Sequence, residues 1–517
     1  MGFLINKHYI WRPTKYQIMR KNIFIIAIVA FLATLVFLTH NVWGQEITHK
    51  DTTDITNKFP DPNFREALFQ LKIIADPEHI LAHEITNITK LDLVKPRIKI
   101  DSLGGIELFQ NLRELNCTWH RIKVLDLSQN KHIEEITCMC NYRNIPQSPT
   151  LPTLRKIILP DNSPLKILDC RANCLTELDL SKCPNLEKLI CQENNINSLN
   201  VNHCPKLTYM DCSKNAHLSE LHFSQCTNLK YLNCSYCNIT KLDVSNNINL
   251  ENLQCAKQAN YGTLFEEGRG GVLNSLIFPQ YNKLKEVNCQ DNKLTRLDIH
   301  DLIALEKLNC SWNKLTNLDC SKNLLLSDIN CGYNYIRKLD FTPNTKIERL
   351  RCGGQGYRWT RHIDDEIQDL TELTIPYTHL EHKLKELDYN QSNLKQPLLL
   401  EKLPSLEILD CSANQLKTIN LKHNIRLQKL DVSDNQLKSL DVSNNLNLSE
   451  IRCIHNKLKR LDIHHNKLLK KVTCIYTDNE NKKFIVYVGD HYVEGSIDFA
   501  PNYFPYSLEK LIIKKRK

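Results

Sequence analysis

Residues 305–325 read LEKLNCSWNKLTNLDCSKNLL, and residues 326–346 read LSDINCGYNYIRKLDFTPNTK. Overlaid, these two 21-residue stretches share the frame L-x-x-L-x-C-x-x-N-x-L-x-x-L-D-x-x-x-N. A fixed period of this length means that one small unit recurs and stacks on its neighbours. The frame starts again at Leu112, Ile133, Leu165, Leu186, Leu207, Leu229, Leu250, Leu284, Ile347, Leu384, Leu406, Leu427, Leu448 and Leu469, with a degenerate first copy at Ile88. About 17 copies account for nearly everything after residue 87.

Within L-x-x-L-x-C, positions 4 and 6 point one way and positions 3, 5 and 7 the other, the period of a strand. One copy cannot bury its own apolar set. Stacked copies can, and their strands then form one long parallel sheet. Asn at position 9 ends the strand, where its amide can satisfy backbone groups of the turn. Asn173, Asn194, Asn215, Asn292, Asn313, Asn334, Asn414, Asn435 and Asn456 hold this place. The second half of the frame repeats a shorter version of the first and is expected to form the outer wall.

On these residues the chain resembles bacterial leucine-rich-repeat proteins of the 21-residue class, whose unit is two nested half-segments. FPDPNFREAL (59–68), ITKLDL (88–93) and LGGIELFQNLREL (103–115) resemble the start of the internalin-like group. The resemblance covers about residues 59–475. It implies a mostly β repeat solenoid: a curved horseshoe with a parallel concave sheet, a short helical N-terminal cap and a small β C-terminal cap. It implies fold strongly and function only loosely.

The 517 residues carry a net charge of +9, modest for this size, and no basic stripe marks a nucleic-acid footprint. Instead of several domains, the repeats predict one ladder about 80 Å long at the usual strand spacing. Ile23–Thr39 is an uncharged apolar run after Arg20 and Lys21, and Val42-Trp43-Gly44 follows it. Residues 1–44 are therefore expected to be a signal peptide cleaved before Gln45, with Met19 as an alternative start. An uncleaved membrane anchor is the rival, and the only expected route to a membrane. Residues 45–58 are expected as a disordered linker and 59–87 as a helical cap, in which Asp61-Pro62-Asn63 starts a helix and Phe64, Leu68, Leu71 and Ile74 cover the first rung. The repeats then run over 88–474, and 475–517 form the C-terminal cap, with strands near Phe484–Val488 and Leu508–Ile513 closing the far end of the sheet. Copies 133–164, 250–283 and 347–383 are long. Their extra residues are expected as loops near 141–151, 256–272 and 353–369 on one edge, and all three carry Pro (Pro160, Pro279, Pro376) where Ser is usual.

Of the 21 cysteines, many recur at position 6, from Cys117 to Cys474, and Val432 and Tyr389 each take the place once. Exchange with Val marks a small buried apolar site, which a free thiol suits. Neighbouring rungs carry their Cβ atoms about 4.8 Å apart, wider than the roughly 3.8 Å of a disulfide. A reduced thiol ladder is expected. Cys183, Cys204 and Cys226 form a second column, where other copies have Asn130 or Asn323.

Function is sought on the outward positions 3, 5, 7 and 8. Tyr209, Tyr231 and Tyr236 form one aromatic group there, and Trp312 and Tyr333 a second, while Trp119 stands alone. Arg349 and Arg351 are polar neighbours, and the third long loop adds Tyr357, Arg358 and Trp359. Aromatic and Arg side chains are common interface anchors, although scattered surface aromatics are also ordinary. Chemistry finds little support. Cys234-Ser-Tyr-Cys237 has redox or zinc spacing, but the repeat frame accounts for it, and zinc needs four convergent ligands. No catalytic residue, cofactor or metal is expected. The expected role is exported recognition of another protein, in adhesion or host contact. Carbohydrate also suits these side chains, and a periplasmic or envelope scaffold is the alternative.

Overall fold

The computed structural model describes residues 51–96, 98–140, 154–257, 271–356, 369–377, 383–394, 398–474, 483–490, 492 and 510–516. Positions 3–5 of each copy form a three-residue strand, as in Lys307–Asn309 and Asp328–Asn330. These strands build one 17-stranded parallel sheet. Neighbours pair position for position, so that Tyr209 faces Tyr231 and Asp328 faces Arg349. Inward of the sheet lie the apolar positions, with Leu308 and Cys310 on one rung buried and Ile329 and Cys331 on the next. All 21 cysteines are free, and Cys174 alone among them is not fully buried.

The sheet ends on an amide ladder. Asn313 Nδ2 donates to the carbonyls of Cys289 (2.9 Å), Cys310 (3.1 Å) and Ser311 (3.3 Å), while its Oδ1 accepts from Leu294 N at 3.0 Å. One amide thus joins two rungs through both of its ends. Asn194, Asn215, Asn334 and Asn435 make the equivalent bonds. Gln355 does so on a rung that lacks Asn. At the N-terminal end His120 fills the place: Nε2 lies 3.1 Å from Leu93 O, and Nδ1 accepts from Ile100 N at 3.3 Å. These partners call for the neutral ring protonated on Nε2, and burial lowers its pKa in the same sense.

The residue before position 9, which an amide fills on most rungs and Cys237 on one, takes a left-handed backbone, whatever its side chain. Ala172, Glu193, Lys214, Tyr236, Asp291, Trp312, Tyr333, Ala413, Asp434 and His455 all have φ between 49° and 60°. That conformation costs a non-glycine residue on the order of 1 kcal/mol. The ladder of bonds on either side holds it in place.

A second amide column lies at position 19. Asn323, Asn344, Asn424, Asn445 and Asn466 each donate from Nδ2 to two carbonyls of the preceding rung. Their Oδ1 atoms are buried without a hydrogen-bond partner. This place asks for a donor and nothing else, which a thiol can supply. Cys226 Sγ takes it with the Val201 carbonyl at 3.2 Å, and Cys204 Sγ with that of Leu180 at 3.7 Å.

The outer wall holds short parallel strands. Val124–Asp126 pairs with Lys156–Ile158, Lys241–Asp243 with Ser275–Ile277, and Lys338–Asp340 with Glu372–Thr374. The second partner in each pair comes from a long copy. In regular copies an Asp accepts from the N–H two residues on, as Asp179 does from Ser181 and Asp340 from Thr342. Pro160, Pro279 and Pro376 have no N–H to offer. The Asp is gone from the same three copies, replaced by Ile158, Ile277 and Thr374.

Asp61 anchors the cap. Its Oδ1 accepts from Asn63 N (2.8 Å) and Phe64 N (3.3 Å) to start the helix Pro62–Gln70. Its Oδ2 accepts from Asp101 N (2.7 Å) and Ser102 N (2.8 Å) of the first repeat region. Phe59, Phe64 and Phe109 pack as an aromatic triad beneath. Gly105, at φ 99°, lies against Phe59 so closely that a Cβ would come within 2.6 Å of the ring. The linker expected over 45–58 needs correction for residues 51–58, which fold onto the cap. Ile55 N donates to Ile80 O, Thr56–Lys58 form a 3-10 turn, and Asp54 bridges to Leu81. The Asp54 carboxylate, held at about 2 by the Thr56 hydroxyl and amide and by His79, supports that turn.

The strands Lys483–Val488 and Lys510–Lys515 pair with each other, and the first pairs with Arg460–Asp462. They therefore extend the outer wall; they do not extend the concave sheet.

Candidate recognition surface

Register decides which expected contact residues meet. Tyr209 and Tyr231 lie on adjacent strands at position 3, and their rings stack at 4.5 Å between centroids, 4° from parallel. Lys188 Nζ sits 5.2 Å from the Tyr209 ring centre on the neighbouring rung. Ring faces are thus turned along the ladder. Burial, then the neighbouring Tyr209 and Asp211, push the Tyr231 phenol up to about 12. Tyr236 does not join this pair. It holds the left-handed position at the strand end, with its N–H on Ala256 O at 2.9 Å.

Trp312 and Tyr333 hold that same left-handed position on two successive rungs. Their rings stack at 3.9 Å and 6°. On the next rung the place belongs to Gly354, whose φ is 69°. A Cβ there would lie 2.5 Å from a Tyr333 ring carbon. The edge stack therefore needs glycine as its third member.

Arg349 and Arg351 are engaged in ion pairs. Arg349 Nε lies 2.7 Å from Asp328 Oδ2. Arg351 reaches Asp328 Oδ1 at 3.1 Å and Glu386 Oε1 at 2.6 Å. Both arginines are half-buried, so the network holds neighbouring rungs together and presents a largely neutralised surface. Tyr357, Arg358 and Trp359 lie outside the described residues.

Position 5 carries a feature the repeat frame did not reveal. Asp211 Oδ1 accepts from Ser213 N (3.0 Å), Asn233 Oδ1 from Ser235 N (3.1 Å), and Asp410 Oδ1 from Ser412 N (2.9 Å). Asn288, Asn309, Asn330, Asp388 and Asp431 do likewise two residues on. These bonds orient the central column of the concave face. Amides fill its middle, and Asp388, Asp410 and Asp431 follow on successive in-register strands. Burial, then Asp410, push Asp388 up to about 7, and burial raises Asp431. Only the frequency of Asn and Asp at this position could have signalled the column. Among the described residues no group of three or more His, Cys, Asp or Glu is placed to hold a metal ion. None of the described helices is long and apolar enough to cross a membrane.

A parallel sheet rung by rung, an amide ladder at its edge and a short-stranded outer wall define the architecture. The fold is a leucine-rich-repeat solenoid. No family model matches the chain, and no curated protein matches it. Among solved structures it is similar to the functional domain of InlJ from Listeria monocytogenes, which includes a cysteine ladder: 26% identity over 85% of this chain and 82% of that one, with a TM-score of 0.55. A leucine-rich-repeat protein of Leptospira interrogans follows at 19% identity, covering 74% of this chain and 95% of that one, with a TM-score of 0.49. An internalin (InlF) of Listeria monocytogenes covers 83% and 98% at 17% identity and a TM-score of 0.39.

Proposed function

We propose that this protein recognises another protein through its concave sheet, with Tyr209 and Tyr231 as the central anchor and Trp312 and Tyr333 as the edge anchor. The observation that carries this reading is the pairwise stacking of these rings on a backbone locked by register. Stacked rings are already ordered, so little side-chain entropy is lost on binding. Tyr and Trp side chains are frequent anchors at protein interfaces. Ion-paired Arg349 and Arg351 and the oriented position-5 column support a preformed polar surround. The leader expected at residues 1–44 favours an exported protein in adhesion or host contact.

The test is site-specific photo-crosslinking on intact cells and with host-cell extract. A photoreactive phenylalanine at Tyr231 should capture a protein that the same group at Lys241 of the outer wall does not. Tyr231→Ala and Trp312→Ala should then each weaken that complex at least about tenfold, as interface anchors do. Equal capture from both faces, or unchanged affinity in both variants, rules the concave assignment out. Capture of envelope proteins alone favours the scaffold role.

A further inference from the structure

Regular copies return from the outer wall to the concave sheet through a tight turn. Its closing bond runs from the N–H of the next copy's first residue to the carbonyl of position 19. Leu326 N reaches Asn323 O in this way, and Leu448 N reaches Asn445 O, both at 3.1 Å. The two residues between them form the tip of the turn, at the edge opposite the inner amide ladder. The fold asks little of these tips. Pro184 and Pro205 fill the first tip position in the N-terminal half, where the fixed φ of proline suits a turn. Thr345 and Lys467 fill it on other rungs.

From the copy at Leu284 onward, many tips are large and apolar. Ile303, Leu324, Leu325, Ile425, Leu446 and Leu468 stand there, between 37% and 67% exposed. They fall into two blocks on neighbouring rungs, 303–325 and 425–468. No tip between Leu229 and Leu469 carries Asp or Glu. Lys283, Lys346, Lys383, Arg426 and Lys467 are exposed among the same tips. Lys283 Nζ donates to Asn249 Oδ1 at 2.9 Å, and Lys383 Nζ to Thr345 O at 3.2 Å. These acceptors are neutral and leave the charges uncompensated. The Glu–Lys pairs of this region lie behind the tips at position 2, as in Glu251–Lys285 and Glu348–Lys385. The edge is thus a row of apolar and cationic tips about 34 Å long at the usual strand spacing. A linear apolar row rimmed by charge of one sign marks a docking surface.

We propose that this edge rests on an anionic phospholipid bilayer. The Ile and Leu tips enter the headgroup region, and the cations between them meet lipid phosphates. The charge pattern rejects a second copy as the occupant. Two copies packed edge to edge about a twofold axis would set one apolar block on the other. Lys346 and Lys383, which lie between the blocks, would then face their own counterparts, like charge on like. This contact is independent of the concave face and of the apolar run at residues 23–39. It holds the Trp312–Tyr333 stack away from the lipid, on the opposite edge.

The experiment places a photoreactive phenylalanine in the full chain at Leu446 or, as control, at exposed Lys417 of the outer wall. Each protein is mixed with vesicles of equal parts phosphatidylcholine and phosphatidylglycerol and irradiated, and lipid adducts are read by mass spectrometry. A leader retained in the membrane tethers both proteins alike, so the difference between the two sites reports the edge. Leu446 should give phosphatidylglycerol adducts in at least about tenfold excess over Lys417. Arg426→Glu with Lys467→Glu changes two exposed turn residues and should leave the melting temperature unchanged. It should cut the Leu446 adduct by about tenfold. Equal adducts from both sites, none at Leu446, a crosslink from Leu446 to a second copy, or a yield indifferent to the charge reversal overturns the proposal.

Discussion

Asp388 and Asp410 stand opposite each other in register on adjacent parallel strands of the concave sheet. Each caps the N–H two residues on, so neither can turn away. Burial and its neighbour lift Asp388 to about 7. A carboxyl whose folded-state pKa lies above its unfolded value near 3.9 destabilises the fold when ionised. That cost is fully present above pH 7, shrinks as pH falls through 7 and is gone near pH 4. Asp388→Asn keeps the capping oxygen and removes the charge. It should raise stability at pH 8 by about 1–2 kcal/mol and leave it nearly unchanged at pH 4. Thermal melts from pH 4 to 8 check this, and a variant that melts lower at pH 8 contradicts it.

The two amide columns differ in what they demand. Asn313 uses donor and acceptor, so Asn313→Ala leaves buried carbonyls and the Leu294 N–H unmatched, a loss of roughly 3 kcal/mol. Asn323 uses only its donor, and Cys226 shows a thiol doing that job. Asn323→Cys should therefore cost under about 1 kcal/mol. Urea unfolding midpoints of the two variants give the comparison. Equal losses would mean that the orphaned Oδ1 atoms matter after all.

Gly354→Ala places a methyl against the Tyr333 ring and forces alanine into a left-handed backbone. The expected penalty is about 1–3 kcal/mol, with disruption of the Trp312–Tyr333 stack. Tryptophan emission reports on the stack, and Trp312→Phe identifies the contributing signal. An unshifted spectrum with unchanged stability would show that the ring has room.

Asp61 accepts four backbone N–H groups, two from the cap helix and two from the first repeat region. Asp61→Ala should loosen that end by about 2 kcal/mol or more. A ladder couples chiefly through nearest neighbours, so the effect should fade along the chain. Hydrogen exchange should rise over residues 62–70 and 100–108 and stay level beyond about residue 200. Uniform deprotection would instead indicate one cooperative unit.

The 21-residue frame made the sheet, the inner thiols and the first amide column legible, because each is set by which side of a three-residue strand a position takes. The cap helix was legible too, from Asp61-Pro62-Asn63. The candidate surface was legible as residue types only. Tyr209, Tyr231 and Tyr236 look alike as outward aromatics, yet two stack and the third sits on the strand end, because positions 3 and 8 differ in backbone conformation. Arg349 and Arg351 look like open contact groups until Asp328 and Glu386 are placed beside them by the stacking of rungs across a long copy.

What the sequence determined by itself was therefore the repeat, its burial pattern and the residues that close each turn. These depend on contacts every copy makes in the same way, and the period exposes them. Tertiary structure alone decided the contacts that differ from rung to rung: the ring faces spent on stacking, the arginines drawn into ion pairs, and the carboxylates crowded at Asp388. It also placed the last two strands on the outer wall. Each of these rests on the particular pair of side chains that two neighbouring rungs bring together, a pairing made in space between residues about 21 to 37 positions apart, as Arg349 with Asp328 and Arg351 with Glu386 illustrate.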